Sequence, residues 1–394
     1  MVAIVPTSDD LATNFASVLS IKEERGVQEL LHQLQQYPNE TKDLETSSIP
    51  SKSSTCQHPS VVVDGVCYNC RQKIENEHTY GLELSYLRLG LRLSHSEINR
   101  LRCLESKKQL SQKKLHLVLN IDHTLIHTLR LEKASKLGLS CDDKDTKEID
   151  NGACLVKLRP HVLEFLEKAN TMFEMYLYTL GSRPYAKKIA QILDPQGIYF
   201  GHRIISRDDN PLAASKVKTL DLLLAQKSKN LILDDNFGVW PKHEKNLILT
   251  KEFVFTGKET EETEMNNTLI LKEIFDNVLY KIHSAFFNEK IHNDVRMLAA
   301  ELRSNVLRGC ILCMKRVKNS ELWDMAMELG ATCCDELNSC VTHLVSIWKK
   351  GRQENVWAVE NKIYLVHVGW IRAAYYSWKR PPEENFHITL RNSM

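Results

Sequence analysis

The segment Leu119-Asn120-Ile121-Asp122-His123-Thr124-Leu125 sets an amide and a carboxylate two positions apart where an apolar run ends. At such a strand end, a carboxylate in the first position can attack phosphorus and form an acyl phosphate. A second carboxylate at i+2 then exchanges a proton with the leaving oxygen. The spacing aims both groups at one site. Magnesium suits this chemistry because it takes oxygen ligands and offsets phosphate charge during transfer. Further along, Thr179 follows Met175-Tyr176-Leu177-Tyr178 and offers a hydroxyl, Lys218 offers a cation, and Asp234-Asp235 end the run Leu231-Ile232-Leu233. Taken singly, each has a plain reading: a turn or helix cap for Asp-Asp, a surface position for Thr or Lys. The ordered set of strand, acid, hydroxyl, lysine and acidic pair points to a phosphoryl-transfer site.

A second constellation precedes it. Cys56-x-His58 and Cys67-x-x-Cys70 supply four ligands of the types that hold tetrahedral zinc, and Gly65 permits a tight knuckle. Reduced, unliganded cysteines are the competing reading, since Cys-x-His is an uncommon first half and the loop is short. Cys310 with Cys313, and Cys333 with Cys334, fall in strand patterns and read as core packing.

The elements that must position these groups alternate along the chain. Strand Leu115 to Ile121, helix Pro160 to Asn170, strand Phe173 to Tyr178, helix Arg183 to Leu193 and strand Asn230 to Leu233 predict a parallel sheet flanked by helices, with ligands at the carboxyl ends of its strands. The charged segment Arg130 to Asn151 interrupts the alternation as an inserted flap or loop, and Lys258 to Asn267 reads as another surface loop. Ahead of the sheet, residues 1–54 form a largely disordered leader with one helical pattern, Lys22 to Gln36. Residues 55–112 carry the Cys/His segment, recurrent leucines from Leu84 to Leu93, and a basic helical run from Ile98 to Lys108. The phosphatase-like domain spans 113–290, ending in helix Leu269 to Asn288. A small α/β unit follows over 295–390, with short strands and interleaved helices.

A chain of 394 residues with 43% hydrophobic residues can bury several cores. Its 52 basic and 50 acidic residues leave a net charge of +2, which gives no global attraction to nucleic acid or to acidic membranes. No apolar stretch of membrane-spanning length and no basic leader are present, so an intracellular protein without a membrane partner is expected. Eleven cysteines, an odd number, do not read as a secreted disulfide framework.

On the stretches Lys113 through Leu129, Lys157-Leu158-Arg159-Pro160, Phe173-Glu174-Met175-Tyr176 through Ala186, Leu193-Asp194-Pro195 and Leu231 through Trp240, the chain resembles the RNA polymerase II C-terminal-domain phosphatases of the haloacid-dehalogenase superfamily, especially plant-type members. The resemblance covers about Lys113 to Val254. It implies a nucleophile at Asn120, a general acid/base at Asp122 that also binds metal through its main-chain carbonyl, a phosphate-binding hydroxyl and lysine at Thr179 and Lys218, and a metal-side acidic pair at Asp234 and Asp235. Arg183 and Thr124 map to substrate binding. The implied magnesium set is Asn120, Asp122, Asp234 and Asp235. Asparagine departs from this pattern: its neutral amide oxygen is a poor nucleophile, so the covalent step should largely fail, while phosphate binding could persist.

The stretches Leu307 to Leu312, Leu329-Gly330-Ala331, Val341 to Val345 and Val368-Gly369-Trp370 resemble the BRCT domain, in which the tryptophan anchors the last helix. Trp357, Trp370 and Tyr376 therefore read as structural. Met314 stands where phosphoserine-binding members carry a small hydroxyl residue; Lys349, Lys350 and Arg352 form a basic loop cluster.

Two functions follow as expectations. One is a nuclear protein-serine/threonine phosphatase homologue directed at the phosphorylated heptad tail of RNA polymerase II. The other is a catalytically silent phosphopeptide adaptor that joins transcription-complex proteins through its BRCT unit. Nucleic-acid binding through the Cys/His knuckle is disfavoured by the near-neutral charge.

Overall fold

The computed structural model describes residues 60–68, 70–75, 80–140, 144–257, 269–289, 293–315, 317, 320–347 and 353–388. The leader, Cys56, His58, the loop Lys258 to Asn267 and the basic cluster Lys349, Lys350 and Arg352 lie outside them.

The chain begins with four short strands, β1 (Val61–Val63), β2 (Val66–Cys67), β3 (Leu82–Glu83) and β4 (Leu91–Leu93), followed by helix α1 (His95–Gln112). The strands form an antiparallel sheet of order β2-β1-β4-β3. Then come β5 (Leu115–Leu119), β6 (Ile126–Arg130), α2 (Leu131–Lys136), β7 (Thr146–Ile149), β8 (Cys154–Leu158), α3 (Val162–Met172), β9 (Phe173–Tyr178), α4 (Arg183–Leu193), β10 (Ile204–Ile205), β11 (Asn230–Asp234) and β12 (Leu247–Leu249). Strands β10-β9-β5-β11-β12 build a five-stranded, all-parallel sheet. The expected strands and helices of this unit appear within a few residues of their predicted limits.

Strand β5 is buried along its length because both faces are covered, as a parallel sheet requires. Its alternation divides the two cores. Leu115, Leu117 and Leu119 face α3, α4 and the helical stretch over 269–289, which includes α5 (Tyr280–Ser284), against Phe165, Ile189, Ile274 and Ile282. Val118 points the other way, into a core with Tyr176, Tyr178, Ile232 and Trp240. That second face is closed by Leu84, Leu91, Leu93, Ile98 and Leu101, so the recurrent leucines and α1 are the lid of the sheet. Leu89 alone of the run is strongly exposed, at 69%.

The insert is more ordered than a loop: β6, β8 and β7 form a three-stranded antiparallel sheet. In β7, Thr146 and Ile149 turn inward and flank exposed Lys147 and Glu148.

Helix α6 (Val295–Ser304) buries Val295, Leu298 and Ala299 in the first core and leads to β13 (Ile311–Cys313), α7 (Ser320–Glu328), β14 (Thr332–Cys334), β15 (His343–Ser346), α8 (Gln353–Glu360), β16 (Tyr364–His367) and α9 (Gly369–Ser377). The four strands are parallel in the order β14-β13-β15-β16, and with the helices between them they make the small α/β unit of short strands that the sequence predicts. Trp370 is fully buried there, donates Nε1–H to the Pro381 carbonyl at 2.9 Å and stacks on His343 at 4.8 Å, a structural role. The buried Met314 side chain completes this core. Trp378, just past α9, packs in the first core, and the Arg303 guanidinium lies 4.4 Å from its ring centre.

Candidate phosphoryl site

Register places the candidate residues at one edge of the sheet. Leu119 pairs with Leu177 on one side and Leu233 on the other, so β5, β9 and β11 end together. Beyond those ends lie Asn120, Thr179 and Asp235, with Asp234 the last residue of β11. Strand β5 is where the chain's connections depart to either side of the sheet, the usual place for a ligand crevice.

Asn120 is nearly buried and its amide is held at both ends. Lys218 Nζ donates to Asn120 Oδ1 at 2.8 Å and to Asp234 Oδ2 at 2.7 Å. An ammonium has only donors, so it fixes which end of the amide faces it. Nδ2 therefore points away, toward the Asp122 main-chain carbonyl oxygen at 2.7 Å, Thr124 Oγ1 at 3.0 Å and Asp235 Oδ1 at 2.9 Å. Thr124 is fully buried; its hydroxyl donates to Asp235 Oδ1 at 2.7 Å and accepts from the Asp235 amide at 3.2 Å. Burial raises the Asp235 carboxyl above its ordinary range, opposed by the Thr124 hydrogen bond and reinforced by Asp234.

Asp234, also buried, accepts two further hydrogen bonds: Trp240 Nε1–H donates to Oδ2 at 2.8 Å and the Asn236 amide to Oδ1 at 3.0 Å. Lys218 lies 5.5 Å from the Trp240 ring centre and 5.7 Å from that of Tyr178, so an aromatic wall backs its ion pair.

The Asp122 carboxylate is partly exposed and stands on the open side. Tyr185 donates a short hydrogen bond to Oδ1, and Thr179 Oγ1 lies 3.5 Å from Oδ2. The Tyr185 hydroxyl also meets Thr128 Oγ1 on β6 at 2.7 Å, tying the inserted sheet to the site. Burial, then the neighbouring Asp122 charge, push the Tyr185 phenol far above its usual range, so it stays a donor at any physiological pH. Thr179 accepts from the Gly181 amide at 2.9 Å, which orients its hydroxyl.

Asn120, Asp122, Thr124, Thr179, Lys218, Asp234 and Asp235 thus form one connected set. Arg183 stands apart at the start of α4, where Asp209 holds its guanidinium at 2.5 Å. Tyr185, Trp240 and Arg159 join the site without having been singled out from sequence, although all three lie in the stretches that carry the family resemblance. Arg159, 1% exposed, donates to the carbonyls of Thr124 and Lys251, both at 2.9 Å, and so clamps the loop after β5.

As arranged, these groups do not fit a bound magnesium ion. The Asp122 carbonyl and the Asp235 carboxylate each accept an Asn120 N–H, while Asn120 Oδ1 and Asp234 Oδ2 both accept from Lys218. For the zinc candidates, Cys67 is buried at the end of β2 and Cys70 Sγ lies 4.0 Å from Gln72 Oε1; Cys56 and His58 lie outside the described residues. Among the described residues, Glu105, His116 and Glu174 also converge, with ligand atoms within 4.8 Å of one another. Lys108 and Arg203 pair with these acids, which makes the cluster a compensated ion-pair network.

Residues 115–282 match the NLI interacting factor-like phosphatase family. The chain is 38% identical over 377 residues to RNA polymerase II C-terminal domain phosphatase-like 4 of Arabidopsis thaliana, covering 85% of this chain and 83% of that one. It is 29% identical over 323 residues to RNA polymerase II C-terminal domain phosphatase-like 3 of the same plant, covering 72% of this chain and 26% of that longer relative. Among solved structures, the fold is similar to that of Fcp1, an essential RNA polymerase II CTD phosphatase, with a TM-score of 0.57, 24% identity, 73% of this chain covered and 100% of that one.

Proposed function

Because the chain belongs to the RNA polymerase II C-terminal-domain phosphatase family, we propose that it acts in the nucleus on the phosphorylated heptad tail of RNA polymerase II, as a phosphoserine/threonine-binding member whose covalent step is blocked at Asn120. The family resemblance implies magnesium-dependent transfer through an intermediate on a carboxylate at this position. The observation that carries the reading is the state of Asn120. Its Oδ1 is an amide oxygen that already accepts from Lys218 at 2.8 Å.

The remaining machinery fits recognition of a phosphate monoester. Thr179 would donate its hydroxyl to a phosphoryl oxygen, and Lys218 would supply the nearby positive charge. Thr124 would hold the loop around the group, and Arg183 at the rim would reach phosphate by exchanging it for Asp209. Asp122, held by Tyr185 and Thr179, would hand a proton to a leaving oxygen. In this chain that proton has no departing group to serve. The BRCT-type unit would dock transcription-complex proteins, in keeping with an adaptor.

Hydrolysis of a phosphorylated heptad peptide by the chain beside its Asn120→Asp version tests the proposal. Turnover should be at least about 10³-fold faster in the carboxylate form, since losing a nucleophile typically costs that or more. Both forms should bind the phosphorylated peptide and neither its unphosphorylated counterpart. Equal turnover would refute the assignment of Asn120 to the nucleophile position.

A further inference from the structure

The Asn120 amide makes the contacts that a divalent cation would otherwise make. Nδ2 sits within 2.9 Å of both the Asp122 carbonyl oxygen and Asp235 Oδ1, and its hydrogens are the positive charge those oxygens see. A magnesium ion needs such oxygens at about 2.0–2.1 Å in near-octahedral array. It cannot approach them there without expelling the N–H groups.

Turning the amide over offers no relief. The flipped group would set its hydrogens against the Lys218 ammonium, and its oxygen against the Asp122 carbonyl and the Asp235 carboxylate. Both contacts are like against like. Lys218 is itself immobilised, 3% exposed and paired with a 1% exposed carboxylate, so it cannot withdraw to let the amide rotate. Electrostatics act in the same direction. A carboxylate at position 120 would add one negative charge to a site already holding Asp122, Asp234 and Asp235 against Lys218, and that extra charge is what would attract and hold a dication.

We infer that Asn120 takes the place of the metal: its amide closes the cation position, and the free protein keeps its phosphate pocket in shape by hydrogen bonds without resident magnesium. The inference rests on the family reading only for the identity of the cation, and its test reads binding of magnesium alone.

Magnesium chloride is titrated into the full chain at constant ionic strength, with isothermal calorimetry and thermal unfolding as readouts, beside Asn120→Asp and Asn120→Ala. The chain itself should show no magnesium-specific heat and no stabilisation at about 10 mM. Asn120→Asp should bind at least roughly 10²-fold more tightly, since loss of an outer-shell partner alone can cost that much. Asn120→Ala should fall between them, because it removes the N–H donors and frees both oxygens without adding charge; Asn120→Gly replaces it if the alanine form does not fold. Magnesium affinity in the unaltered chain within about threefold of Asn120→Asp would overturn the inference. Affinity in the alanine or glycine form no better than in the unaltered chain would also overturn it, leaving lost charge as the cause. A chain that binds magnesium normally yet does not hydrolyse the peptide would sink this inference and leave the proposed function standing.

Discussion

Replacing Lys218 by methionine removes the one ammonium that joins Asn120 to Asp234 while keeping most of the side chain's volume. Lys218 is 3% exposed and Asp234 is 1% exposed, with 2.7 Å between Nζ and Oδ2. The substitution leaves a buried carboxylate with only the Trp240 and Asn236 N–H groups to stabilise it, at 2.8 and 3.0 Å. Breaking a fully desolvated pair by deleting one partner costs about 3–5 kcal/mol, because the surviving charge must stay buried or take up a proton. For a cooperative unit of this size that corresponds to a fall in Tm of about 6–20 °C. Thermal and chemical denaturation of Lys218→Met, Asp234→Asn and the double variant form a cycle that isolates the pair. In the double variant the amide needs no counter-charge, so much of the loss should return. A single Lys218→Met costing under about 1 kcal/mol, or a double variant as unstable as the sum of the singles, would refute the view that this ion pair is a dry structural unit beneath the pocket.

Tyr185→Phe, made in the Asn120→Asp form, should lower kcat while leaving phosphopeptide affinity nearly unchanged, since Asp122 loses its phenol donor; a kcat equal to the parent's would show that Tyr185 merely packs. His243 Nε2 accepts from the Leu220 amide at 3.1 Å and must be neutral to do so, and burial pushes its pKa down to about 4. Its folded value lies below its unfolded one, so its contribution is complete above about pH 6.5 and is lost as pH falls toward 4; Tm against pH should decline less steeply in His243→Gln. His116 has the opposite sign. Although burial opposes its charge most strongly, the hydrogen bonds its ring N–H gives to Glu105 and Glu174 carry its pKa above the ordinary value, so His116→Gln should lose more stability at pH 6 than at pH 9. Gly330, at φ +88°, turns the chain beneath α6 where an added Cβ would lie 1.8 Å from the Ser304 carbonyl oxygen; Gly330→Ala should cost at least about 2 kcal/mol by denaturation.

The parallel sheet was legible in the sequence because its strands are continuous apolar runs, each followed by a helical pattern or a polar stop. The antiparallel lid was not. Strands of two or three residues, such as Val66–Cys67 and Leu82–Glu83, show no period of their own, and they exist only because β1 and β4 pair across the chain, Val61 with Leu93. The insert misled for a related reason. Its alternation is confined to few positions, and its charge density is that of a loop, yet pairing to β8 supplies the order that local composition does not.

Within the site, residue type was legible and orientation was not. Strand ends announce Asn120, Asp122, Thr179 and the acidic pair, because register alone brings them together. Tyr185 and Trp240 look like core aromatics from sequence, since nothing local shows that one hydroxyl and one indole N–H reach carboxylates 63 and 6 residues away. The same holds for the feature on which function turns. That position 120 is an amide can be read directly, but which end of it faces the pocket depends on Lys218, 98 residues later. With an acceptor in place of that ammonium, Nδ2 would turn toward it and Oδ1 would face the Asp122 carbonyl and Asp235, a set of oxygens that a cation could bridge. The lysine therefore governs whether asparagine at this position weakens a metal site or stands in for the metal, and only the folded arrangement discriminates between the two.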